Sequence, residues 1–475
     1  MNPTQTRTYS ALGLPQSAAR VDAGAHRSQR DGRRGKTSLG AAMLLALASL
    51  TGALAAAPAQ AVEVTDVLDA FDDQNDDPFD GSVRLRFVSE TRKSVIARQQ
   101  SCLKNDVLGT NCPGGNSYVL ARELEFERVR NTLNVDVRLG LYKDFELYAV
   151  IPVVVGDDWK HEFTAGVTSA NSTILPPSAK EALFKVPYQS TSRSGLGDLQ
   201  MGLKWAPFNY FRNAGDPTWV FGLEYTAPTG TAMQAKNTGV GYGLHELTLY
   251  STMSRRALQV LEPFINVHVT PLRSGASSGL FVTHGQTQKT VTPGFTLGSN
   301  FGLTVVPWEN LKKEERLEIE AGFGMDYIGR GREYSEIWEA LASPNNPCKP
   351  SEGCSTGLHD RSEVDPTTGK PRPTDGITEV ESYARFNGWA AVHFQPIQYF
   401  QLSAKVGWMA ETPHYITFGE VGKDLDGNAN VQQFNKNGQN EYSPVFLWSV
   451  DQPGQRLRAT DISGMTLMFS ASGKF

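Results

Sequence analysis

Short segments in which apolar and polar residues alternate recur along most of the chain. One segment begins at Leu133, and the apolar side chains of that stretch are Leu133, Val135, Val137, Leu139 and Leu141. Successive side chains of a β-strand point to opposite faces, so a period of two predicts strands whose faces meet different surroundings. The alternation persists to the final residue, Phe475, although terminal residues of soluble domains commonly fray.

Counting such stretches gives about twelve segments of roughly ten residues, the length that a tilted β-strand needs to cross a bilayer. The segments lie near 82–90, 133–141, 145–153, 199–205, 219–225, 243–254, 260–270, 295–305, 317–327, 380–394, 400–408 and 459–475. The pattern predicts an all-β fold, a transmembrane antiparallel up-and-down β-barrel over residues 82–475.

The connections between these segments alternate in length. The long ones are 99–117, 156–194, 227–241, 271–288, 329–378 and 411–457, and the shorter ones are 143–144, 206–217, 255–259, 306–315 and 395–398. Outer-membrane barrels have short periplasmic turns and long extracellular loops, whereas a soluble β-sandwich has no reason for this regularity. An even number of strands returns both ends of the barrel to the periplasm.

The N-terminus has the features of an export signal. A basic region ending in "RDGRRGK" precedes the apolar stretch "TSLGAAMLLALASLTGALAAAPAQA", which closes on Ala59-Gln60-Ala61. This order predicts a cleavable signal peptide over 1–61 and a mature protein that begins near Val62. A twin-arginine signal at Arg33-Arg34 and an uncleaved membrane anchor are the weaker alternatives.

Export changes the charge balance. Residues 1–61 carry seven of the 45 Lys and Arg residues and two of the 50 Asp and Glu residues, so the remainder has a net charge near −10. Nucleic-acid binding requires concentrated positive charge, so no nucleic-acid partner is expected. The acidic segment 62–81 is too short for a separate plug domain, although its length would let it enter the pore.

The last strand carries a candidate assembly signal. Leu467, Phe469 and Phe475 share one parity, and the terminal aromatic resembles the C-terminal signal that the barrel-assembly machinery recognises in outer-membrane proteins. We therefore expect this machinery as a partner during insertion and outer-membrane lipid as the partner of the folded chain.

Four cysteines lie in predicted external loops. Because the chain is predicted to be exported, Cys102 with Cys112 and Cys348 with Cys354 are the expected disulfides, the near-neighbour choice among three pairings. A zinc site is the weaker alternative, since the chain lacks a CxxC pair and a suitably spaced His. No metal or other cofactor is expected. The loop "DLDGNAN" from Asp424 is rich in calcium-type ligands, but position 12 is Asn435 rather than Glu.

Catalytic motifs of barrel enzymes are not recognisable. A lipase-type barrel needs His and Ser close together, but the residues that follow His245, His268, His284 and His393 do not match the His-x-Ser-Asn-Gly element of phospholipase barrels. His359-Asp360 lies in the kind of loop that a protease-type barrel uses, and a solvated polar loop explains it equally well. We therefore expect no enzyme.

Charged residues occupy the parity that would face a polar lumen. The candidates are Arg84, Arg86, Asp136, Arg138, Asp198, Lys204, Glu224, Glu246, Glu262, His268, Glu318, Glu320, Asp326 and Lys405. Two interpretations stay open: a cross-strand ion-pair network that fills a narrow barrel, and a polar channel with an acidic bias.

Three glycine-containing stretches support a family resemblance. "SGLGDLQMGLKW", "FGLEYTAPTG" and "GVGYGLHELTLYSTMSRR" followed by "PFINVHV" resemble, in this order, the phenol meta-pathway degradation-like family of outer-membrane transporters, over about residues 195–300. The resemblance implies passage of small solutes, aromatic or hydrophobic ones among them, and supplies no catalytic or ligand motif. The expected function is therefore an outer-membrane channel, with a non-conducting barrel whose loops bind or adhere as the alternative.

Overall fold

A computed structural model describes most of the chain after residue 64. The described residues are 65–68, 80–101, 118–174, 183–210, 213, 215–235, 237–258, 260–275, 291–310, 313, 315–342, 359–364, 371–373, 375–431, 438, 441, 443 and 445–475. The four cysteines, and therefore both expected disulfides, lie outside the described residues. The predicted signal peptide and most of the acidic segment also lie outside them.

Twelve antiparallel strands form one closed barrel, which confirms the predicted fold class and strand number. They are β1 (Gly81–Ser101), β2 (Tyr118–Tyr142), β3 (Phe145–Phe163), β4 (Leu199–Phe208), β5 (Thr218–Ala227), β6 (Leu244–Ser254), β7 (Leu261–Gly275), β8 (Thr296–Asn310), β9 (Glu315–Ile328), β10 (Tyr383–Ile397), β11 (Phe400–Glu411) and β12 (Leu457–Lys474). Each strand pairs with its sequence neighbours, and β1 pairs with β12 to close the sheet.

The barrel has two unlike ends. The short connections, such as the two-residue turn between β2 and β3, lie at one end, which we call the turn end, together with residues Gly81 and Phe475. The long connections lie at the opposite end, which we call the loop end. The alternation of short and long connections agrees with the sequence prediction.

Apolar side chains of the predicted parity face outward. On β12, Met465, Leu467 and Phe469 are exposed, with 56% of Phe469 accessible, whereas Ser470 and Ser472, which have the opposite parity, are buried. On β11, Leu402, Val406 and Trp408 are likewise exposed. The outer surface is thus the apolar face of each strand and the inner surface is the polar face, the reverse of a soluble protein.

The first strands extend well beyond the alternating segments. β2 has 25 residues rather than the nine predicted, and the added part lies at the loop end. There the period of two breaks: consecutive residues Glu123 and Leu124 are both buried, and a register shift between Ile96 and Ala97 marks a bulge. Both faces meet protein in this region, so alternation no longer reports the strand.

A hydrophobic cap packs against the extended strands at the loop end. Trp338, Ile416 and Val450 from two long connections are almost fully buried against Leu124 and Leu457 of the barrel. Burying each large side chain contributes about 1.5–3 kcal/mol, so the described loops form a packed layer. Inside it, Arg193 and Glu339 form an ion pair of 2.6 Å with side chains 0% and 2% exposed.

Two short helices belong to these connections. α1 (Trp338–Ala342) and α2 (Trp448–Asp451) contain five and four residues. Among the described residues, no helix has the length and apolar character needed to span a membrane.

The last residue closes the barrel seam at the turn end. The amide of Gly81 donates to the Phe475 carbonyl at 2.7 Å, and the amide of Phe475 donates to the Gly81 carbonyl at 2.9 Å. The Phe475 ring lies over Gly81, in the space that a Cβ would occupy, and is 60% exposed. The terminal aromatic therefore combines a backbone role in closure with an exposed side chain.

Candidate passage through the barrel

The inner wall at the turn end holds a compact group of charges around the N-terminal segment. Arg138 contacts Glu146, with Nε to Oε1 at 2.9 Å, and Asp66, with Nη1 to Oδ2 at 3.0 Å. Lys204 reaches Glu146 at 3.0 Å. We call Asp66, Arg138, Glu146 and Lys204 the turn-end network. Glu146 and Arg138 are buried, at 0% and 8% exposed, whereas Asp66 and Lys204 are 24% and 18% exposed.

Residues 65–68 are held inside this end of the barrel. Leu68 donates its amide to Glu146 at 2.9 Å, and the Thr65 hydroxyl lies 2.8 Å from that of Ser254. Burial alone would raise the pKa of Asp66, but the charges of Lys474, Arg138 and Lys204 outweigh burial and hold this pKa well below its usual range. The segment before β1 therefore occupies part of the turn-end lumen, as its length allowed.

The other predicted charges of the turn-end half mostly pair with neighbours. Arg86 contacts Asp136 at 3.1 Å, and Arg84 lies opposite Asp136 in the β1–β2 register. Glu262 accepts from Ser254 at 2.8 Å, and Glu318 pairs with Arg316 at 2.6 Å. Contacts of this kind, within a strand or between neighbouring strands, compensate charges that would otherwise be buried alone.

Aromatic rings lie flat against glycines on the inner wall. The Tyr148 ring covers Gly202 and the Tyr250 ring covers Gly222, each filling the space of a missing Cβ. Tyr148 donates to predicted Glu224 at 2.8 Å. Because a side chain at either glycine would clash with a ring, this arrangement requires glycine there and leaves the ring beside the lumen.

The same arrangement recurs further round the barrel. Trp389 lies over Gly322 and donates its indole N–H to Glu320 at 2.6 Å. The Lys405 ammonium lies 4.7 Å from the centroid of the same ring, within cation–π range. Glu320 and Lys405, both predicted to face the lumen, are thus brought together by an aromatic residue that the sequence reading did not select.

His268, Asp326 and two amides form a polar group on β7, β8 and β9. His268 Nε2 lies 3.2 Å from Asp326 Oδ1, and its Nδ1 lies 3.2 Å from Asn266 Oδ1. Asn300 donates to the same Asn266 oxygen at 3.1 Å. Glu246, another acid predicted to face the lumen, pairs with Arg273 at 2.9 Å.

Two cavities follow one another inside the barrel. The central chamber has a volume of about 810 Å³, and its wall includes Phe264, Asn266, His268, Trp389 and Lys405. The loop-end cavity has a volume of about 440 Å³, and its wall includes Asp198, Glu246, Arg273, Glu333 and Tyr334. Five residues line both cavities and so mark the place where they meet: Arg92, Arg128, Arg130, Tyr242 and Arg385.

The four arginines at this place were missed in the sequence reading. Arg128 and Arg130 continue the inward parity of β2 upstream of Leu133, and Arg92 and Arg385 do the same on β1 and β10. Extending the first two alternating segments by a few residues would have found Arg92, Arg128 and Arg130, whereas Arg385 lies within the predicted segment 380–394 and was not selected. We call Arg92, Arg128, Arg130 and Arg385 the arginine junction.

The glycine motifs of the family resemblance converge on one residue. Asp198 Oδ1 accepts the Gly230 amide at 3.0 Å, and Oδ2 accepts the Tyr242 amide at 2.8 Å. A Cβ on Gly230 would meet the backbone of Gly197. The predicted lumen residue Asp198, in the connection between β3 and β4, therefore holds the connection between β5 and β6 by two hydrogen bonds to its backbone, in addition to lining the loop-end cavity.

His393, one of the histidines considered for catalysis, contacts a serine and lies near a carboxylate. His393 Nδ1 lies 2.9 Å from Ser403 Oγ, and His393 Nε2 lies 3.7 Å from Glu320 Oε2. Ser403 and His393 are buried and line neither cavity, and Glu320 already accepts from Trp389. His245 contacts Tyr225 at 2.6 Å. His284 and the side chains of His359-Asp360 lie outside the described residues.

The calcium-type loop brings three carboxylates together. Oxygens of Asp424, Asp426 and Glu441 lie within 4.8 Å of one another. Asp424 already accepts the amides of Gly427 at 2.6 Å and Ala429 at 2.9 Å, and Glu441 accepts that of Leu425 at 2.7 Å. These hydrogen bonds account for the cluster as a structured turn.

Comparisons with known proteins find distant structural likeness only. No family model matches the chain, and no curated protein matches it in sequence. An outer-membrane channel from Pseudomonas putida F1 aligns with 82% of this chain and 95% of its own, at 9% identity and a TM-score of 0.38.

Two further solved structures are similar to a lesser degree. A FadL homologue of Pseudomonas aeruginosa aligns with 83% of this chain and 90% of its own, at 10% identity and a TM-score of 0.28. A mutant of TodX, titled a monoaromatic hydrocarbon channel, gives the same coverages at 8% identity and 0.29. At TM-scores below 0.5 these likenesses are too distant to carry a function over to this chain.

Proposed function

We propose that the protein is an outer-membrane channel for small molecules. The observation that carries this proposal is the inverted polarity of the barrel: apolar side chains cover the outside, and charged side chains surround an internal chamber of about 810 Å³. An apolar surface of this extent is costly in water and favourable in lipid, and a closed barrel satisfies its backbone hydrogen bonds internally. The lipid of the outer membrane is the proposed partner of the outer face.

Exposed aromatic residues at the turn end support the membrane assignment. They are Tyr142, Trp205, Phe208, Trp308, Tyr399 and Phe475. Tyr, Trp and Phe concentrate where a bilayer meets water, and bacterial barrels carry such a girdle. We place the turn end in the periplasm and the loop end outside the cell, consistent with export through the predicted signal peptide and insertion by the assembly machinery.

The chamber favours small solutes with an apolar or aromatic part. Phe264 and Trp389 lie with ring centroids 6.5 Å apart along its wall, beside amide and charged side chains. Such mixed walls suit ligands that combine a ring with polar groups. This agrees with the solute class that the family resemblance implies.

A non-conducting barrel is the second candidate. The hydrophobic cap at the loop end favours it, since packed loops are a suitable surface for binding another molecule and also obstruct a passage. The two candidates differ in one property, the passage of ions.

Planar-bilayer recording separates the two functions. We expect discrete current steps from the purified mature protein, and larger steps from a variant lacking residues 62–79, because residues 65–68 lie inside the turn end. The absence of steps from both proteins, with folded barrels verified by heat-modifiable gel mobility, would reject the channel and favour the binding role.

A further inference from the structure

The arginine junction has an unusual arrangement of charge. Arg92 and Arg128 lie directly opposite each other in the β1–β2 register, a position where like charges destabilise a sheet. Arg130 lies on the same face of β2, and Arg385 reaches the group from β10. Four cations from three strands therefore converge where the two cavities meet, which calls for a compensating feature or a functional use.

Carboxylates behind the arginines supply part of the compensation. Arg128 makes a bidentate contact with Asp157, at 2.8 and 2.6 Å, and Arg130 lies 3.7 Å from the same carboxylate. Glu411 accepts from Arg385 at 2.8 Å and from Arg92 at 2.9 Å, and Arg92 also contacts Glu336 at 2.6 Å. Three carboxylates thus serve four guanidinium groups.

Exposure shows which charges face the passage. The side chains of Asp157 and Glu411 are 0% exposed and that of Glu336 is 5% exposed, whereas Arg92, Arg128, Arg130 and Arg385 are 17–31% exposed. The acids fix the planes of the guanidinium groups from behind, and the cations remain accessible to a solute. A carboxylate in the passage would meet accessible cationic N–H donors.

An aromatic residue belongs to the same place. The Arg130 guanidinium lies 5.9 Å from the centroid of the Tyr242 ring. The charges of Arg128 and Arg130 lower the pKa of the Tyr242 hydroxyl and outweigh the opposing effect of desolvation, as expected where the local potential is positive. Phe264 and Trp389 line the adjoining chamber.

We propose that the arginine junction is a binding step for small arylcarboxylates, with the carboxylate held by Arg130 and its neighbours and the ring lying in the central chamber. This inference rests on the proposed channel function and names its solute class. The acids behind the arginines temper the attraction, which suits a solute that must leave as well as enter.

Reversal potentials across a bilayer test the charge preference. In a potassium chloride gradient we expect the wild-type pore to prefer chloride. Arg130→Gln should lower the anion-to-cation permeability ratio by about threefold or more, because a unit charge acts at an effective dielectric constant far below that of water in such a passage. Arg130 is the variant of choice because, among the residues that the structure describes, its one carboxylate contact is at 3.7 Å, so its removal leaves Asp157 still paired with Arg128.

Arg122→Gln is the matched control. Arg122 is on the same strand, but it pairs with Asp461 on the outside, with side chains 58% and 60% exposed, and lines neither cavity. It should leave the reversal potential unchanged. A pore that prefers potassium, or an Arg130→Gln pore with the wild-type ratio, would overturn the arylcarboxylate step and leave the channel function intact. Absence of any pore would instead reject the channel function and this step with it.

Three probe ions test whether the aromatic ring of the solute binds in the central chamber. With the potassium salts of benzoate and acetate, and with benzylammonium chloride, we expect benzoate to interrupt the current at the lowest concentration and benzylammonium to have no effect. Arg130→Gln should weaken the benzoate block. Equal block by benzoate and acetate would overturn the assignment of the ring to the chamber, and block by benzylammonium would overturn the assignment of charge.

Discussion

The turn-end network and the arginine junction use the same residue types to opposite effect. At the turn end, Arg138 and Glu146 are 8% and 0% exposed and pair with each other, and the two more exposed members, Asp66 and Lys204 at 24% and 18%, carry opposite charges. At the junction the carboxylates are hidden but the arginines are not. We infer that the sign of the charges left exposed, rather than the number of charges, distinguishes a structural ion-pair network from the proposed solute site.

The two interpretations of the inner charges correspond to different parts of the barrel. The ion-pair network describes the turn end, where Lys204, Arg138 and Glu146 stabilise one another. The proposed polar channel corresponds to the region around the junction. There the charge is locally cationic, in contrast to the acidic bias expected from the candidate residues, because Arg92, Arg128 and Arg130 lie outside the predicted segments and Arg385, inside one, was not among the candidates.

The largest expected effect concerns closure at the turn end. Deleting Phe475 removes two backbone hydrogen bonds to Gly81 together with the exposed ring, whereas Phe475→Asp keeps the backbone pairing and removes only the aromatic. If the terminal aromatic is the assembly signal, both variants should be nearly absent from the outer membrane and Lys474→Ala should assemble normally. Quantitative blotting of outer-membrane fractions, with the gel shift of folded barrels, measures this.

The two Phe475 variants also distinguish an assembly signal in the aromatic ring from a backbone role in closing the barrel. Normal assembly of Phe475→Asp together with failure of the deletion would assign the role of Phe475 to backbone pairing at the seam. Normal assembly of both would show that neither the ring nor the last pair of hydrogen bonds is needed.

The next effect is on stability and contrasts the two regions directly. Arg138→Met leaves Glu146 buried without its main cation and should cost about 3–5 kcal/mol of unfolding free energy. Arg130→Gln, whose nearest carboxylate keeps another partner, should cost at most about 1 kcal/mol. The measurement is the urea midpoint of unfolding in detergent micelles. Equal losses would contradict the distinction between a closed network and an accessible junction.

A smaller effect is expected from pH at the loop-end cavity. Burial raises the pKa of Glu333 to about 7. The charged groups around it are Arg273, Glu336, Arg92 and Arg385. Glu333 is therefore mostly neutral below pH 6 and mostly ionised above pH 8, so the anion preference of the pore should rise as the pH falls through 7.

Glu333→Gln tests the origin of that dependence. This variant should show the low-pH selectivity at every pH between 6 and 8. A wild-type profile retained in Glu333→Gln would assign the titration to another group. Arg122→Gln, far from the cavity wall, serves again as the unchanged control.

The sequence predicted the barrel well because lipid imposes a strict rule on one face. Alternation in Leu402, Val406 and Trp408 reports that rule, and the connection lengths gave the order of the strands. The alternation ends where the hydrophobic cap begins, because the strands there contact protein on both faces. Residues 118–132 form half of β2, yet Leu124 and Phe126 pack against loops, so their pattern resembles that of a soluble core.

The sequence predicted which face of the sheet the candidate residues occupy, but not which residues they contact. Parity placed Lys204, Glu224 and Asp326 on the inner wall, but Glu146, the central carboxylate of the turn-end network, was not selected. Contacts such as Tyr148 to Glu224 join strands that are not neighbours, and they depend on a glycine between them. The spacing of residues in the sequence does not predict contacts between strands that are separated by another strand.

The claim that solutes pass through the inner face is tested most directly by modifying one residue there. Gly407 lines the central chamber, and a Cβ at that position would make only ordinary contacts, the nearest at 3.6 Å to Thr466. We expect a charged, membrane-impermeant thiosulfonate to reduce the current through a Gly407→Cys pore and to leave unchanged that of Ala410→Cys, which faces outward on the same strand, and that of the wild type. An unreduced current through modified Gly407→Cys, with the adduct verified by mass spectrometry, would contradict the proposed passage.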